Sequence, residues 1–396
     1  MPCGRSSRAS EERVSSRATD RAAEPSTSMT VTVSPRRRRL LTAGLSAAAW
    51  PVVSRGLAGS AAASGAFAAF AASGAFAASG SPSAAGPPGA RTSFALIGDL
   101  PYWRFELANV PALLGEMAEQ CAFGIHVGDL KGGSEPCSDE LLESRLTLFG
   151  QSRIPLVYTP GDNEWTDCWR PAAGDHDPAE RLAWLRRRVF LRESPWLGPP
   201  DRAIWQQLAS PAAEPLLANG PVRQSEVEGG PPENLMWTAG GVLFLTLNLP
   251  GSDNGRRSPL DDADRLERDA YNRRWLDQAR QRAERANLPA IALAIHANPG
   301  FGRGIDPSRV LGDDGYATFR HDLAQLNARF AGHVLVMHGD THRFRVDRIL
   351  PRLTRVECFG SPFTGSWVRI EVTPQRPMPF EISVRAAAPP REEITP

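Results

Sequence analysis

Six short apolar runs between residues 93 and 342 constrain this chain most strongly, because five of them end at or beside an aspartate or a histidine. Each run has the length of a strand, is rich in Ile, Val, Leu and Phe, and stops near Gly or Pro. In order, the runs are SFALIGD, FGIHVGD, IPLVYTPGD, VLFLTLNLPG, AIALAIHANPG and HVLVMHGDTH. This pattern predicts buried strands whose polar ends gather in one place.

Segments of helix length separate these runs, and two further alternating runs follow them. The predicted helices are Val110–Gln120, Pro178–Phe190, Leu260–Ala286 and Asp313–Phe330. The last strands are predicted in SWVRIEVTP and PFEISVRA. Together the segments predict an α/β fold in which sheets are buried under helices. Residues 170–240 are rich in Pro and Trp, and we expect mostly insertion loops there.

The first 90 residues are predicted to be a disordered leader. The segment SPRRRRLLTAGLSAAAWPVVS places a basic patch before a short apolar stretch, which is the order of an export signal. Its arginine cluster resembles a twin-arginine signal, and the two ASGAFAA repeats that follow are typical of a linker. A basic disordered tail is the alternative. The folded domain is predicted over residues 91–380, with a flexible tail at residues 381–396.

The leader also predicts where the protein acts. We expect export by the twin-arginine machinery to a periplasmic or extracellular location. The apolar stretch is too short and too rich in Ala for a stable membrane span. The net charge is +1, and the folded part has no basic face with interleaved aromatic residues, so a nucleic-acid partner is not expected.

The polar ends of the runs form a set of candidate metal ligands. They are Asp99, Asp129, Asp162, His296, Asp340 and His342. In sheets of this kind, ligands bind outside the carboxyl ends of the strands, and a neighbouring Gly lets the backbone turn sharply and approach an ion. Carboxylates and imidazoles that converge repel one another unless a positive charge lies among them. A pair of divalent metal ions would meet that need.

The ordered segments GDLPY, GDLKG, GDNEW, IHANPG and HGDTH resemble the motifs of the calcineurin-like metallophosphoesterase superfamily, from about Phe94 to His342. The resemblance implies a four-layer sandwich, with two central mixed sheets flanked by helices and a dinuclear metal centre. One metal would be held, by position, by Asp99, Asp129 and His342. The second would share Asp129 and be held also by Asp162, His296 and Asp340. The implied activity is hydrolysis of phosphoric esters by a bridging hydroxide.

Four positions depart from the motifs of that superfamily. Pro101 replaces a histidine ligand, Asp162 an asparagine, Asn163 a histidine linked to the leaving group, and Asp340 another histidine. The resulting oxygen-rich set favours Mn²⁺ or Mg²⁺, with Ca²⁺ or iron as alternatives. The first metal site is left one protein ligand short, so either a water fills it or the site is weak or empty. A weakly active or inactive protein that binds metal or a phosphoester is therefore the alternative function.

Two residues are predicted to act beside the metals. Lys131 is the only lysine of the chain and follows Asp129 by two positions, so it could neutralise a phosphoryl oxygen, although a surface lysine is the alternative. Asn163 can donate a hydrogen bond but cannot transfer a proton. Tyr102 could line the mouth of the pocket or simply pack in a loop.

Two further residues are predicted to support the ligands. Glu164 would orient the GDNE loop. His338 would lie behind the ligands or, in another register, would replace Asp340 on a metal. His126, Asn248 and Asn298 are expected to be core or turn residues.

Four cysteines lie outside the leader, at Cys121, Cys137, Cys168 and Cys358. Cys137 and Cys168 each follow a loop that carries a candidate ligand, and these loops are expected to be neighbours. If the protein is exported, we favour a disulfide between them, and four free thiols are the alternative. No Cys-x-x-Cys spacing occurs, so a structural zinc site is not expected.

Overall fold

The computed structural model describes residues 32–33, 91–192, 194–199, 222–223, 230–256, 262–301 and 314–387. Nearly all of the predicted leader, including its arginine cluster, lies outside these ranges, as do residues 388–396 of the predicted tail. Among the described residues, no helix is both long enough and apolar enough to cross a membrane.

Two sheets form the centre of the described part. Their strands are β1 (Thr32–Val33), β2 (Thr92–Ile97), β3 (Phe123–His126), β4 (Leu156–Tyr158), β5 (Val222–Arg223), β6 (Leu235–Ala239), β7 (Val242–Thr246), β8 (Ala290–Ala294), β9 (His333–His338), β10 (Arg345–Leu350), β11 (Leu353–Glu357), β12 (Ser366–Val372) and β13 (Phe380–Ala386). The helices are α1 (Arg104–Leu107), α2 (Val110–Gln120), α3 (Asp139–Phe149), α4 (Pro178–Leu185), α5 (Ala263–Arg285) and α6 (Ala317–Arg329).

Both sheets are mixed. The first has the strand order β1-β13-β12-β2-β3-β4, with β2, β3 and β4 parallel and β12 antiparallel to both β2 and β13. The second has the order β10-β11-β9-β8-β7-β6-β5, in which β11, β9, β8 and β7 run parallel. Six of these seven strands, β2, β3, β4, β7, β8 and β9, are those that the apolar runs predicted, and β11 is the seventh.

Alternation along β2 shows why the sheets are buried on both faces. Phe94 and Leu96 point into the core between the two sheets, while Ala95 and Ile97 point into a second core beneath α2, α3 and α4. A third core joins the other face of the second sheet to α5 and α6. Three apolar cores between four layers confirm the predicted α/β sandwich of two mixed sheets flanked by helices.

The core between the sheets is largely aromatic. The Phe94 ring stacks on Phe123 with centroids 5.2 Å apart, and the edge of Phe244 meets both rings. Trp237 stacks in turn on Phe244 at 5.3 Å. These residues belong to β2, β3, β6 and β7, so the cluster joins the two sheets. Burial of side chains of this size dominates the energy of a core.

The helices begin where local chemistry favours a start. The Oγ of Ser138 accepts a hydrogen bond from Leu141 N at the first turn of α3, and Asp139 and Glu140 lie in that turn, where the helix dipole favours acidic residues. Prediction and structure agree on both ends of α2. The predicted helix Pro178–Phe190 is α-helical only to Leu185 and continues as a π-helical turn over Arg186–Phe190.

The structure departs from the predicted segments at three places. Residues 381–386 were assigned to a flexible tail, but they belong to β13, which pairs with β12 from Phe380 to Ala386. Their apolar positions alternate, and Phe380 and Ile382 are buried in the core between the sheets. The segment 170–240, expected to consist mostly of insertion loops, ends in β6 of the second sheet. Thr32–Val33, within the predicted leader, pairs with β13.

Candidate metal centre

All six candidate ligands follow strand ends, and each sheet supplies three of them. In the first sheet, Asp99 follows β2, Asp129 follows β3 and Asp162 follows β4. In the second sheet, His296 follows β8, and Asp340 and His342 follow β9. Because parallel strands end at the same edge of a sheet, this connectivity brings residues from distant parts of the chain together.

Four of these residues have a left-handed backbone. The φ angles are 57° at Asp99, 60° at Asp129, 76° at Asp340 and 57° at His342. A residue other than Gly rarely adopts positive φ, and such conformations persist at functional sites, where the surrounding structure enforces them. The turn after each strand therefore sets the direction of the side chain at the expense of an unfavourable backbone conformation.

Glycines let the loops after β3 and β4 touch. Gly128 has φ +94°, and a Cβ there would lie 2.4 Å from the backbone nitrogen of Gly161. A Cβ on Gly161 would lie 2.2 Å from Asp129 Oδ1. No side chain larger than hydrogen fits at either position, so the Gly-Asp pairs of the sequence serve close approach of backbone to carboxylate.

The ligand atoms form two adjoining groups of three. One group contains Asp99, Asp129 and His296, the other contains Asp162, His296 and Asp340, and the atoms within each lie within 4.8 Å of one another. His342 joins the first group at its edge, with Nε2 3.5 Å from Asp99 Oδ1. The residue common to both groups is thus His296, whereas the resemblance implied Asp129 as the shared ligand.

His296 is the positively charged partner of the surrounding carboxylates when no cation is bound. Nδ1 lies 2.7 Å from the carbonyl oxygen of Val127, which can only accept, so Nδ1 carries a hydrogen. Nε2 then faces Asp162 Oδ1 at 3.2 Å and Asp129 Oδ1 at 3.4 Å. Burial alone would lower the pKa of His296, but the Asp129 and Asp162 carboxylates raise it well above its usual value. A proton at Nε2 therefore occupies the direction in which a neutral imidazole would offer its lone pair to a metal.

The carboxylates are also perturbed by burial. Desolvation raises the pKa of Asp99 to about 6 and that of Asp129 well above the usual range, although the His296 charge opposes both shifts. Desolvation likewise raises the pKa of Asp340. Asp162 differs: despite its burial, the hydrogen bond from His296 lowers its pKa. Four carboxylates around one buried imidazole are a donor set that fits hard divalent cations, which would supply the missing charge.

Tyr102 and Asn163 hold one oxygen of Asp129 between them. The Tyr102 hydroxyl donates to Asp129 Oδ2 at 2.5 Å, and Asn163 Nδ2 donates to the same atom at 2.6 Å. The backbone N–H of Asn163 donates to Asp129 Oδ1 at 3.1 Å. Tyr102 Oη is also 3.3 Å from His342 Nε2. Asn163 therefore orients a candidate ligand, and Tyr102, which the sequence left undecided, is part of the centre.

Glu164 contacts the loops that carry Asp129 and Asp162, and His338 is buried beside Gly339. Glu164 Oε1 accepts hydrogen bonds from Gly161 N at 2.8 Å, Asp129 N at 3.0 Å and Tyr158 Oη at 2.7 Å, which fixes the GDNE loop against the loop after β3. His338 is fully buried, burial lowers its pKa to about 3, and its Nδ1 contacts the carbonyl of Gly339. Asp340 rather than His338 belongs to a ligand group, so the alternative register is not adopted.

The Lys131 ammonium is bound by carbonyl oxygens of its own turn. Its side chain is fully buried, and Nζ donates to the carbonyl oxygens of Gly132 at 3.2 Å and Glu135 at 2.9 Å. Burial lowers its pKa. A compact ammonium suits this turn because it can bond two carbonyls at once, and its burial rules out the surface alternative. The phosphoryl contact stays a prediction.

The disulfide favoured from the sequence is present. Cys137 and Cys168 are bonded to each other, and their sulfurs lie 3.4 Å and 3.6 Å from the carbonyl oxygen of Asn163. The bond ties the loop after Asp129 to the loop after Asp162. Cys121 and Cys358 are free and buried, and Cys358 Sγ is 3.7 Å from Asp99 Oδ2.

Ser252 was not anticipated from the sequence. Its Oγ lies 2.6 Å from Asp162 Oδ2 and 2.8 Å from Asp167 Oδ2. Ser252, Asp253 and Asn254 have φ values of 52°, 58° and 59°, so three successive residues follow β7 in a left-handed turn. The only available signal was composition, because Asp and Asn tolerate this conformation and Gly flanks the turn on both sides.

Three residues expected to be core or turn residues are placed as such. His126 is fully buried, and its Nδ1 accepts a hydrogen bond from Gly128 N. Asn248 Nδ2 donates to Glu233 Oε1 at 2.7 Å inside the second sheet. Asn298 contributes its backbone N–H, which donates to Asp340 Oδ2 at 2.9 Å.

Comparison with known proteins gives only distant likenesses. No family model and no curated protein matches the sequence. Solved structures that match include GAP50, the anchor in the inner membrane complex of Plasmodium (11% identity, 77% of this chain and 87% of that chain, TM-score 0.43). Others are a dimetal phosphatase from Danio rerio (10%, 70% and 92%, 0.42) and a purple acid phosphatase from yellow lupin seeds (11%, 76% and 55%, 0.41). Likenesses this distant carry no activity over to this chain.

Proposed function

We propose that this protein is a metal-dependent hydrolase of phosphoric esters with a dinuclear centre held by the six candidate ligands. The observation that supports the proposal most directly is the pair of ligand groups that share His296 where the two sheets meet. Buried carboxylates on a left-handed backbone, gathered without enough countercharge, are costly unless cations are bound.

Two divalent ions bound there would lower the pKa of a coordinated water and neutralise charge on the phosphoryl oxygens. The chain's own residues hold this centre in shape. Val127 O fixes the His296 ring through Nδ1, and Asn163 and Tyr102 fix Asp129. Ser361 O likewise lies 2.8 Å from His342 Nδ1 and so turns Nε2 toward Asp99. Each contact sets the direction of a donor atom, which such sites require.

Proton transfer to the leaving group is the step for which this centre is least well equipped. Asn163 stands where the resembled motif has a histidine, and its amide is engaged by Asp129 and by Lys131 O. Tyr102 and His342 are the neighbouring groups that can carry a proton. The His342 side chain is 25% exposed, so solvent or a leaving group can reach it.

Mn²⁺ or Mg²⁺ is the proposed metal, with Ca²⁺ or iron as alternatives, because oxygen donors outnumber nitrogen donors. We also propose that the protein is exported to the periplasm or beyond by the twin-arginine machinery. The basic and apolar order of the leader supports this, and a disulfide is compatible with an oxidising compartment.

The test is turnover together with metal content. The full chain, supplied with Mn²⁺ or Mg²⁺, should hydrolyse an aryl phosphate or a diaryl phosphate, and Asp129→Asn should abolish that turnover. Asp277→Asn is the matched control, since Asp277 is a half-buried carboxylate on α5 paired with Arg280. Equal activity in Asp129→Asn and the control would refute the proposal.

A binding protein on the same fold is the second candidate. The specific observation in its favour is that the Asn163 amide is committed to orienting Asp129 and leaves no histidine at that position. Stoichiometric metal binding by the wild type, with no turnover of mono- or diesters, would favour this second function.

A further inference from the structure

An arginine side chain approaches the candidate centre from the solvent side. Arg170 lies just after the disulfide, and its Nη1 is 2.8 Å from Asp167 Oδ2 while its Nη2 donates to Ser252 Oγ at 3.2 Å. Ser252 Oγ is in turn 2.6 Å from Asp162 Oδ2. The guanidinium is therefore two hydrogen bonds away from a candidate metal ligand, yet 45% of the side chain is exposed.

The backbone brings Ser252 to this position through a strained turn. A Cβ on Gly251 would lie 2.6 Å from Asp162 Oδ2 and 2.9 Å from Asp340 Oδ1, so only Gly lets the turn press against two candidate ligands. The turn is fixed on its far side, because Asn254 Nδ2 donates to Asp269 Oδ1 and to Gly315 O. Strain retained in this way is typical of functional positions.

Among the described residues, two other cations near the centre, Lys131 and Arg256, are engaged elsewhere. Lys131 Nζ is buried and bonded to two carbonyls. Arg256 Nε donates to Asp253 Oδ2 at 2.8 Å. Arg170 differs in combining an anchored guanidinium with an exposed face. Of its five N–H groups, the contacts with Asp167 and Ser252 use two.

We propose that Arg170, held in place by Ser252 and Asp167, is the subsite for the terminal oxygens of a phosphomonoester. The proposal rests on the function proposed above and adds a substrate class to it. A monoester dianion has three terminal oxygens and about two negative charges, so it can engage the metals and a guanidinium fork together. A diester has only two terminal oxygens and a single charge, and it gains less from the fork.

Inorganic phosphate is the probe for this subsite. Calorimetric titration of phosphate into the full chain, with and without Mn²⁺, would compare the wild type with Arg170→Met and Arg170→Lys. We expect Arg170→Met to weaken phosphate binding roughly ten- to a hundredfold, because a charge-assisted hydrogen bond is lost. Arg170→Lys should give an intermediate affinity, since the ammonium keeps the charge but not the fork.

Arg376→Met is the matched control. Arg376 is 48% exposed and pairs with Glu381 at 2.9 Å on β13, so its loss removes a similar surface ion pair. Its phosphate affinity should equal that of the wild type. Equal affinities in wild type and Arg170→Met, or equal losses in Arg170→Met and Arg376→Met, would overturn the proposal. Should Arg170→Met fail to fold by thermal melting, Arg170→Lys decides, and wild-type affinity in that variant overturns the proposal too.

Kinetics separate this subsite from the proposed activity. With an aryl phosphate, Arg170→Met should raise KM more than it lowers kcat, and with a diaryl phosphate KM should change less. If the wild type hydrolysed neither ester, the proposed hydrolase would be refuted. The subsite would not be, because the phosphate titration tests it independently of activity. A KM that rises equally for both esters would overturn the assignment to monoesters.

Discussion

Replacing Asp99 by Asn should stabilise the metal-free protein while removing its response to metal. Desolvation raises the pKa of this fully buried carboxyl from its ordinary 3.8 to about 6, although His296 and His342 oppose the change. A raised pKa means that the folded protein holds the proton more tightly than the unfolded chain does. Below about pH 4, Asp99 is protonated in both states and has no effect on the stability of the ion-free fold. Its destabilising effect grows as the pH rises toward about 6 and is constant above that.

The magnitude follows from the same values. One pKa unit corresponds to about 1.4 kcal/mol, so the change from 3.8 to about 6 amounts to about 3 kcal/mol at pH 8, as an upper limit. The Asp99→Asn variant would avoid most of this cost, since the amide oxygen of the new side chain can still accept the hydrogen bond that Asp340 N donates to Asp99 Oδ1 at 2.9 Å. We thus expect Asp99→Asn to unfold at a higher temperature than the wild type in EDTA at pH 8.

The assay is thermal unfolding in EDTA and in Mn²⁺, at pH 5 and at pH 8. Wild type should gain stability from Mn²⁺ at pH 8, whereas Asp99→Asn should gain little, because a ligand that binds the folded state weakly adds little to its stability. The control Asp277→Asn should behave as wild type throughout. An Asp99→Asn variant that is less stable than wild type in EDTA at pH 8 would refute the reasoning, because it would show the carboxylate to be a structural partner.

Three further predictions follow from contacts elsewhere. Cys137→Ser with Cys168→Ser opens a bond between residues 31 positions apart and should cost roughly 3 kcal/mol in a denaturant titration; an unchanged midpoint would show that the disulfide is not a brace. Lys131→Met should lower the melting temperature and leave phosphate affinity unchanged, and a selective loss of affinity would restore its expected phosphoryl contact. Substitution of Arg36–Arg39 by lysines should abolish export in a fractionation assay, and export at wild-type levels would refute the twin-arginine assignment.

The strands and their polar ends could be predicted because the chemistry is local. A run such as IPLVYTPGD contains the apolar residues that are buried, the Pro and Gly that end the strand, and the carboxylate that follows. β4 is followed by Asp162 as expected. Helix α2 was predicted to the residue, since Pro111 marks its first turn and four buried apolar residues share one face. Such features need no knowledge of distant partners.

Other parts of the centre depend on partners far away in the chain. Lys131 was singled out because it is the only lysine of the chain. The sequence did not show where its side chain points, because that depends on the carbonyls of its own turn. Ser252 meets Asp162 only because the left-handed turn after β7 lies against the loop after β4. The run PFEISVRA was predicted as a strand from its alternation, but the boundary at residue 380 cut through it, because only its pairing with β12 shows that it belongs to the sheet. Tertiary pairing decided each of these cases.

The equal division of the ligands between the sheets has a mechanical consequence. The first sheet carries Asp99, Asp129 and Asp162, and the second sheet carries His296, Asp340 and His342. Between the two sheets, the described strands form apolar contacts but no ladder of backbone hydrogen bonds. A cation bound by residues of both sheets would hold the two sheets together at this edge. On addition of a chelator, we expect the loops that carry these residues to separate before either sheet unfolds.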